Sequence, residues 1–524
     1  MAVDLVAGVR WLAAGVVPFV LVVGGLVAVP AARAAAGPGD GQPVQAAPPP
    51  IRWGKCPADR NMPEGWQCAR YRVPRDYSRP GGAMLTLFLA RLPARDPRKR
   101  KGSVFFNPGG PGGGGVEAAS YWEDYVGASV RRRYDLVTWD PRGVIRSRPR
   151  LRCLPTEQAV AAQSAPGAVL TRREMLIRLT ATAAIGRGCR TKPLAPFITS
   201  MDNVRDLDRL RRAVGDRRLS YVGISYGTVI GALYANVHPT RYRVLVLHGV
   251  VDSTTWFRPS FAFATDDGVL LENTLRAALV ACDRSGRGCA LAPHAVSKYR
   301  VLLRFIRANA LTRRNSEHFT GLWATAQALV QGSPAAARAA AATLQAAYEE
   351  LLLRRQAVSP TLLAEARKPH RPIVRTSPSA GELNFGDVRD ATICSDAGLM
   401  PRRHSAWVAA ALRADRLATT FGAASVLDRS VCAGWRSHGD TYTGGWNHGA
   451  RPVLLLNQVW DHATPHAWAR TMTRRLGRAK LLTLTGWGHG VQTPCGRTAV
   501  DAYLTTGRLP TAPFCPDGKA LFPR

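Results

Sequence analysis

The stretch Tyr221-Val222-Gly223-Ile224-Ser225-Tyr226-Gly227 decides the fold of this chain. It joins an apolar run over Leu219–Ile224, predicted to be a β-strand, to a helical pattern over Thr228–Val237. A G-x-S-x-G pentapeptide at such a junction holds its serine in a strained turn at positive φ, and small residues two positions away on either side leave the turn room. The pattern therefore predicts a nucleophilic Ser225 at the end of a sheet strand.

Apolar strands alternate with helical stretches in two blocks around this junction. The first block contains strands predicted over Met84–Leu92, Gly102–Asn107, Tyr134–Trp139, Leu219–Ile224 and Arg243–Leu247, with a helix over Val204–Val214. The second contains strands over Pro452–Leu456 and Lys480–Leu484, with a helix near Pro465–Leu476. Strands separated by helices predict an α/β protein, with a mostly parallel central sheet and helices on both faces.

The composition along the chain predicts five segments. Residues 1–36 carry an apolar run and a small-residue A-x-A site, which favours an export signal over a retained membrane anchor. Residues 37–50 have the composition of a flexible leader. Residues 51–253 and 452–524 form the two parts of the α/β core. The Ala-rich, helical residues 254–451 between them are predicted to be a cap or lid inserted over one edge of the sheet.

A glycine-rich loop, Asn107-Pro108-Gly109-Gly110-Pro111-Gly112-Gly113-Gly114-Gly115, follows the predicted strand Gly102–Asn107. Glycines let backbone N–H groups approach a developing oxyanion closely. No Lys-Ser or Lys-Thr follows, and no G-x-G-x-x-G with an acidic partner is present, so the loop matches neither a P-loop nor a dinucleotide site. We predict that the N–H of Tyr226 and one from Gly109 or Gly110 form an oxyanion hole.

The acid and the base are expected after the serine, in the order Asp or Glu and then His. Asp461 follows the strand Pro452–Leu456, and Thr464-Pro465 then resembles the start of a helix. His489 lies between glycines after the strand Lys480–Leu484, which makes it the predicted base. Asp461 with His462 and His466 could instead suggest metal ligands, but no third ligand stands at motif spacing. We therefore predict no metal and no cofactor.

Ten cysteines, with no C-x-x-C among them, fit a protein exposed to an oxidising compartment. They fall into five pairs of neighbours along the chain: Cys56/Cys68, Cys153/Cys189, Cys282/Cys289, Cys394/Cys432 and Cys495/Cys515. Sequential pairing as disulfides is our hypothesis, since spacing alone leaves the connectivity open.

The formal net charge is +35, from 71 Lys+Arg against 36 Asp+Glu in 524 residues. Such an excess is typical of nucleic-acid or anionic-membrane binders. Only eight of the 71 basic residues are lysine, however, and the arginines are scattered. The clusters Arg95–Lys101 and Arg131–Arg133 are predicted to lie on solvated faces. We predict no nucleic-acid partner and only weak electrostatic adhesion to an anionic cell envelope.

These motifs together resemble the secreted bacterial tripeptidyl aminopeptidases, relatives of prolyl aminopeptidase within the α/β-hydrolase fold. The resemblance covers nearly the whole chain after the leader. It includes the 107–112 loop, Trp139-Asp140-Pro141-Arg142-Gly143, Gly223–Thr228 and Ala391–Asp396. Two positions depart from the family pattern: Ile145 replaces a glycine, and Leu247-His248-Gly249 stands where the family has a sequence closer to Leu-Asp-Gly.

The resemblance implies an exported serine exopeptidase that releases short peptides, above all tripeptides, from free N-termini. Ser225, His489 and Asp461 would be its nucleophile, base and orienting acid. A carboxylate would have to hold the substrate's α-ammonium group, and Asp396 and Glu117 are the candidates. A carboxylesterase or lipid hydrolase with the same triad is the first alternative. A basic, non-catalytic envelope-binding protein is the second. The sequence predicts no oligomeric state.

Overall fold

A computed structural model describes residues 48–57, 62–163, 168–313, 316–331, 333–354, 359–367, 380–436 and 440–523. The predicted signal segment 1–36 lies outside these residues, as does the leader 37–50 except for its last three positions. Within the described ranges, no helix combines the length and the apolar character that crossing a bilayer requires.

A ten-stranded sheet forms the centre of the described chain, in the order β1-β2-β3-β5-β4-β6-β7-β8-β9-β10. Its strands are β1 Gly54–Lys55, β2 Gln67–Pro74, β3 Met84–Leu92, β4 Gly102–Asn107, β5 Tyr134–Asp140, β6 Leu219–Ile224, β7 Tyr242–His248, β8 Val453–Trp460, β9 Ala479–Trp487 and β10 Phe514–Cys515. All pairs from β5 to β10 are parallel, whereas β3 runs antiparallel to both β2 and β5. The predicted α/β architecture with a mostly parallel sheet is confirmed.

Helices cover both faces of the sheet, because the parallel strands bury side chains on each side. On β7, Leu245 and Leu247 belong to a core shared with α5 and α6, whereas Val244 and Val246 belong to a core shared with α1 and α17. The helices are α1 Ala119–Tyr125, α2 Ala128–Arg133, α3 Thr156–Gln163, α4 Arg172–Arg190, α5 Ser200–Ala213, α6 Gly227–Val237, α7 Ser253–Trp256, α8 Ala262–Ser285, α9 Ala295–Arg313, α10 Glu317–Val330, α11 Pro334–Arg354, α12 Pro360–Arg367, α13 Ala380–Asp396, α14 His404–Leu417, α15 Gly422–Asp428, α16 His466–Leu476 and α17 Pro494–Thr506.

The segment between β7 and β8 contains helices α7 to α15 and no strand among its described residues. It does not pack alone. The segment between β5 and β6 joins it: the Cys153 N–H donates to Asp387 Oδ2 on α13 at 3.1 Å, and the hydroxyls of Thr182 on α4 and Ser430 lie 2.7 Å apart. The helical layer over the core therefore draws on two separate parts of the chain, although the sequence suggested one.

Three arginines among the described residues are buried, although composition alone would place them in solvent: Arg131, Arg142 and Arg211. Arg142 is 1 % exposed, forms a two-bond ion pair with Asp206 and donates to the backbone oxygens of Pro74, Arg75 and Phe197. Arg131 is also buried and donates to the Pro93 carbonyl, so the expectation of a solvated face over Arg131–Arg133 is wrong at its first residue. The guanidinium groups of Arg131 and Arg142 thus bind backbone carbonyls, and that of Arg142 also binds a buried carboxylate.

The structure joins the ten cysteines as five disulfides, and each joins neighbours along the chain: Cys56–Cys68, Cys153–Cys189, Cys282–Cys289, Cys394–Cys432 and Cys495–Cys515. They tie the sheet edge, the helical layer and the C-terminal segment. This density of disulfides fits folding in an oxidising compartment.

Candidate active site

Ser225 lies in the turn between β6 and α6, with φ at +57°. Its N–H donates to the His248 carbonyl at 3.0 Å, which fixes the turn to the end of β7. The flanking glycines are required by space: a Cβ on Gly223 would lie 2.3 Å from the Gly227 oxygen, and one on Gly227 would lie 2.6 Å from the Asn107 oxygen. The sequence of the turn thus allows a positive φ at a non-glycine residue.

The glycine-rich loop after β4 lies directly against this turn. Gly109 has φ +99°, and a Cβ there would lie 2.5 Å from the Ile224 oxygen and 2.8 Å from Ser225 Cβ. On its other side the loop meets α13, because a Cβ on Gly112 would lie 2.6 Å from the Phe385 oxygen. Only glycine backbone fits between the nucleophile and the helical layer.

Two backbone N–H groups near Ser225 are available for an oxyanion. Gly109 N–H donates to Asn107 Oδ1 at 2.9 Å, so of the two glycines predicted for the oxyanion hole, Gly109 is already engaged. The N–H groups of Gly110 and Tyr226 donate to no acceptor within the described residues. Tyr226 begins the turn of α6, where N–H groups and the helix dipole favour negative charge.

Asp461 and His489 meet at the carboxyl ends of β8 and β9. His489 Nδ1 lies 3.0 Å from both carboxylate oxygens of Asp461. Asp461 is 1 % exposed and also accepts hydrogen bonds from the N–H groups of Ala463 and Thr464. The Thr464 hydroxyl donates to Asp461 Oδ2 at 2.9 Å and lies 3.1 Å from His489 Nδ1. The helix expected after Thr464-Pro465 is α16, which begins directly after Pro465, and the Thr464 side chain bonds Asp461 and does not cap the helix.

The electrostatics of this pair suit a general base. Burial lowers the pKa of His489, but the charge and hydrogen bond of the Asp461 carboxylate outweigh burial and raise it above the ordinary value of histidine. Burial alone would raise the pKa of Asp461, but its contacts with His489 hold that pKa below its ordinary value. An ionised Asp461 therefore fixes a hydrogen on Nδ1 and leaves Nε2 to accept a proton.

Ser225 and His489 line one cavity of about 680 Å³, together with Gly109, Gly110 and Phe385. The Ser225 hydroxyl makes no hydrogen bond to any described residue, so it is not paired with the His489 imidazole. A volume in this range accommodates a small organic molecule or a few amino-acid residues. The three predicted catalytic side chains thus lie at one end of the sheet.

The two acids predicted for the substrate amine do not line this cavity, which corrects that prediction. Asp396 is fully buried and accepts hydrogen bonds from the backbone N–H and hydroxyl of Ser200 and from the Trp256 indole. Burial raises its pKa to about 6. Glu117 is exposed, and its carboxylate lies 3.9 Å from the Arg146 guanidinium. Asp396 is a structural acid, and Glu117 faces solvent.

One acid that the sequence analysis missed does line the cavity. Asp124 on α1 is exposed, and its carboxylate makes no hydrogen bond or ion pair with the described residues. Arg497 on α17 lines the same cavity. The place of α1 in the sequence could have suggested Asp124. The helix follows the glycine run closely and is only two turns long, so its residues must lie near the oxyanion loop.

The described residues do not bring Asp461, His462 and His466 together as metal ligands. His466 Nε2 pairs with the Thr483 hydroxyl at 3.0 Å, while Asp461 is engaged by His489. Two other groups of potential ligands, around Asp387 and Asp517, each contain two cysteines of a disulfide, whose sulfurs are not thiolates.

Comparison with known proteins finds two family models along the chain. One described as "alpha/beta hydrolase fold" matches residues 102–278, and one described as "TAP-like protein" matches residues 418–517. The first includes Ser225, and the second includes Asp461 and His489.

The chain is also similar to individual proteins that are named as peptidases or as an esterase. A tripeptidyl aminopeptidase of Streptomyces lividans is 29 % identical over 87 % of this chain and 85 % of its own length. Serine protease Hip1 of Mycobacterium tuberculosis is 37 % identical over 46 % of each chain. Carboxylesterase B of the same species is 30 % identical over 46 % of this chain and 48 % of its own.

Proposed function

We propose that this serine hydrolase of the α/β-hydrolase fold, a homologue of the tripeptidyl aminopeptidases, is an exopeptidase that releases short peptides, foremost tripeptides, from free N-termini. One observation carries the proposal: the cavity lined by Ser225 and His489 is also lined by Asp124, a carboxylate without a partner among the described residues. Similarity to peptidases supports peptide substrates, and the carboxylate supports recognition of a free amine.

The chemistry follows from the geometry around Ser225. As substrate enters, Ser225 Oγ turns to His489 Nε2, a contact that often tightens only in the complex. His489 takes the hydroxyl proton while Oγ attacks the scissile carbonyl carbon. The N–H groups of Gly110 and Tyr226 bind the resulting oxyanion. Asp461 stabilises the imidazolium throughout.

The tetrahedral intermediate collapses when His489 returns the proton to the leaving amine. The C–N bond breaks, the remaining peptide departs with its new N-terminus, and the released segment stays bound to Ser225 as an ester. A water molecule then loses a proton to His489 and attacks this ester. The second collapse frees the short peptide as a carboxylate and restores the Ser225 hydroxyl.

Asp124 is our candidate for the group that binds the substrate's α-ammonium. An ammonium ion near a carboxylate gains charge-assisted hydrogen bonding that a blocked N-terminus cannot make. Because Asp124 has no partner among the described residues, it can bind a substrate amine without first breaking a salt bridge. Its distance from Ser225 would then set how many residues are removed.

The test compares a tripeptide nitroanilide that has a free amine with its N-acetylated form. We expect kcat/KM for the free form to exceed that for the acetylated form by at least tenfold, and Asp124→Asn to remove most of this preference. Glu117→Gln is the matched control, because it neutralises a nearby acid outside the cavity. Equal turnover of both substrates by the unaltered enzyme would refute the exopeptidase proposal.

An esterase function is the second candidate, and the apolar side chains of Tyr121, Ile224 and Phe385 in the cavity favour it. Similarity to a carboxylesterase points the same way. Faster turnover of acyl esters than of the nitroanilide, irrespective of any amine, would identify an esterase. A fluorophosphonate separates both enzymes from a non-catalytic envelope protein. It labels the intact enzyme but not Ser225→Ala, and no labelling at all would favour the binding protein.

We further propose that residues 1–36 direct export, that residues 254–451 act as the cap, and that the basic surface adheres weakly to the anionic envelope. The five disulfides are compatible with an exported protein. Fractionation of the native host, with a high-salt wash, tests export and adhesion together. Retention that is unaffected by salt would exclude electrostatic adhesion.

A further inference from the structure

His248, at the end of β7, lies beneath the catalytic residues. Its carbonyl accepts the Ser225 N–H, and its imidazole is fully buried. The next residue, Gly249, touches the base: a Cβ there would lie 3.0 Å from His489 Cε1. The proposed reaction assigns no role to this histidine, although a buried imidazole must satisfy both of its ring nitrogens.

Both nitrogens are satisfied, and their partners define the tautomer. Burial raises the pKa of Tyr125 well above its ordinary value, so its hydroxyl remains protonated and donates to His248 Nδ1 at 2.9 Å. His248 Nε2 then carries the hydrogen and donates to Gln458 Oε1 at 3.2 Å. The amide nitrogen of Gln458 donates in turn to the Val491 carbonyl. Within this chain, His248 and Gln458 each accept one hydrogen bond and donate another.

This chain of hydrogen bonds ends on the loop that carries the catalytic base. Residues 488–493 connect β9 to α17 and include His489. Gln458 holds the loop at Val491, and the Gln492 side chain donates to the Tyr125 carbonyl at 3.3 Å. His248 thus bonds to Tyr125 and to Gln458, each of which contacts the loop at one residue. The Tyr121 hydroxyl donates to the same loop at the Gly490 carbonyl.

We infer that His248 is a positioning residue of the hydrolase: through Tyr125 and Gln458, its neutral imidazole fixes the loop that carries His489 and so keeps His489 against Asp461. The inference concerns the serine hydrolase activity itself and does not depend on whether the substrate is a peptide or an ester.

The pH dependence of the reaction reports this role. Loosening the loop weakens the contact with Asp461 that raises the pKa of His489, so the acid limb of the rate profile moves to lower pH. The other titratable groups facing His489 are His462, whose ring centre lies 6.1 Å away, and His248 itself. Burial lowers the pKa of each to about 4, so both are neutral above pH 5. Asp124 and Arg497 on the cavity wall are unchanged in all variants.

The experiment measures the rate constant for labelling of Ser225 by a fluorophosphonate between pH 5 and 9. This probe carries no amine and no peptide, so its result stands even if the exopeptidase proposal fails. We expect His248→Leu to label about 10 to 100 times more slowly per folded molecule, with its acid limb shifted to lower pH. Tyr71→Phe is the control, because it removes a tyrosine hydroxyl that donates to Pro49 on another part of the sheet.

A double-mutant comparison completes the test and covers the case in which His248→Leu does not fold. Tyr125→Phe and Gln458→Leu should each slow labelling, and their combined effect should be smaller than the product of the two, since both break one chain. The inference is overturned if the effects multiply, or if the acid limb stays in place and the loss equals the unfolded fraction.

Discussion

A methyl group on Gly109 would separate the oxyanion loop from the nucleophile. The Cβ of Gly109→Ala would lie 2.5 Å from the Ile224 oxygen, 2.8 Å from Ser225 Cβ and 3.0 Å from Tyr226 N. Ordinary contacts between such atoms are roughly 3.4 Å or longer, so the loop and the turn must move apart by about 0.5–1 Å. That is more than the 2.7–3.1 Å window for oxyanion donors tolerates.

The expected fall in kcat follows from the loss of one N–H donor to the oxyanion. Removal of one oxyanion-hole hydrogen bond raises the barrier by about 2.7–4 kcal/mol, so kcat should fall roughly 10²- to 10³-fold. KM should change little, because the ground-state carbonyl does not need that donor. Steady-state hydrolysis of an activated ester measures kcat, and a urea titration of the same sample measures the free energy of unfolding.

A second glycine controls for backbone strain. Gly109 has φ +99°, which an alanine adopts only with strain. Gly215 has φ +86°, and nothing lies within 4 Å of a Cβ placed there. Gly215→Ala should therefore lose about 1–2 kcal/mol of stability without loss of kcat. If folded Gly109→Ala keeps kcat within threefold of the unaltered enzyme, the assignment of this loop to the oxyanion hole is wrong.

Three further perturbations test the site and its support. Asp461→Asn should lower kcat by about 10⁴-fold. Because the Asp461 carboxylate raises the pKa of His489, the residual activity of the variant should persist to lower pH. An acid limb that does not move would contradict the contact between Asp461 and His489. Arg142→Met leaves the buried Asp206 carboxylate without its cation and should cost about 3–5 kcal/mol in the free energy of unfolding, measured in urea. A loss under about 1 kcal/mol would contradict the importance of the ion pair. Replacing both Cys394 and Cys432 by serine removes a disulfide that closes a loop with a sequence separation of 38, and the free energy of unfolding should fall by about 2–4 kcal/mol in calorimetry. If reduction of the unaltered protein leaves its stability unchanged, the expected contribution of the disulfides is wrong.

The sequence predicted the strands near the site well because their signals are local. The strands Met84–Leu92, Gly102–Asn107 and Leu219–Ile224 match the predicted bounds, since each centres on apolar residues and is followed by a turn. β8 extends beyond the predicted Pro452–Leu456 to Trp460. Its last residues include Asn457, which is polar yet fully buried, because its side chain bonds the backbone of Val250 and Thr464. Polar residues that bond backbone inside a strand carry no apolar signal.

The strand β2 was missed although its pattern is readable. Along Gln67–Pro74, buried Tyr71 and Val73 alternate with exposed Arg70 and Arg72, which is the period-two pattern of a half-buried strand. Because arginine occupies the exposed positions and is common throughout this chain, a search for continuous apolar runs does not recognise the alternation as a strand.

The substrate-binding side of the site could not be predicted, for a different reason. Asp396 and Asp124 are both acids beside a predicted motif, and no local pattern distinguishes a buried acid from one on a cavity wall. What separates them is long-range packing. The Tyr121 hydroxyl on α1 donates to the Gly490 carbonyl, 369 residues away along the chain, and this contact brings α1 to the cavity.

The close packing of α13 on the glycine-rich loop determines how a substrate reaches Ser225. Phe385 closes the cavity on that side, and its backbone oxygen would lie 2.6 Å from a Cβ on Gly112, so no polypeptide can pass there. Exposed Asp124, Val491 and Arg497 form the other side of the wall, between α1 and α17. Among the described residues, substrate therefore reaches Ser225 between α1 and α17, past Asp124, and we expect a polypeptide to enter there by its end. We expect such an enzyme to trim frayed or already cut polypeptides and to leave the interior loops of folded proteins intact.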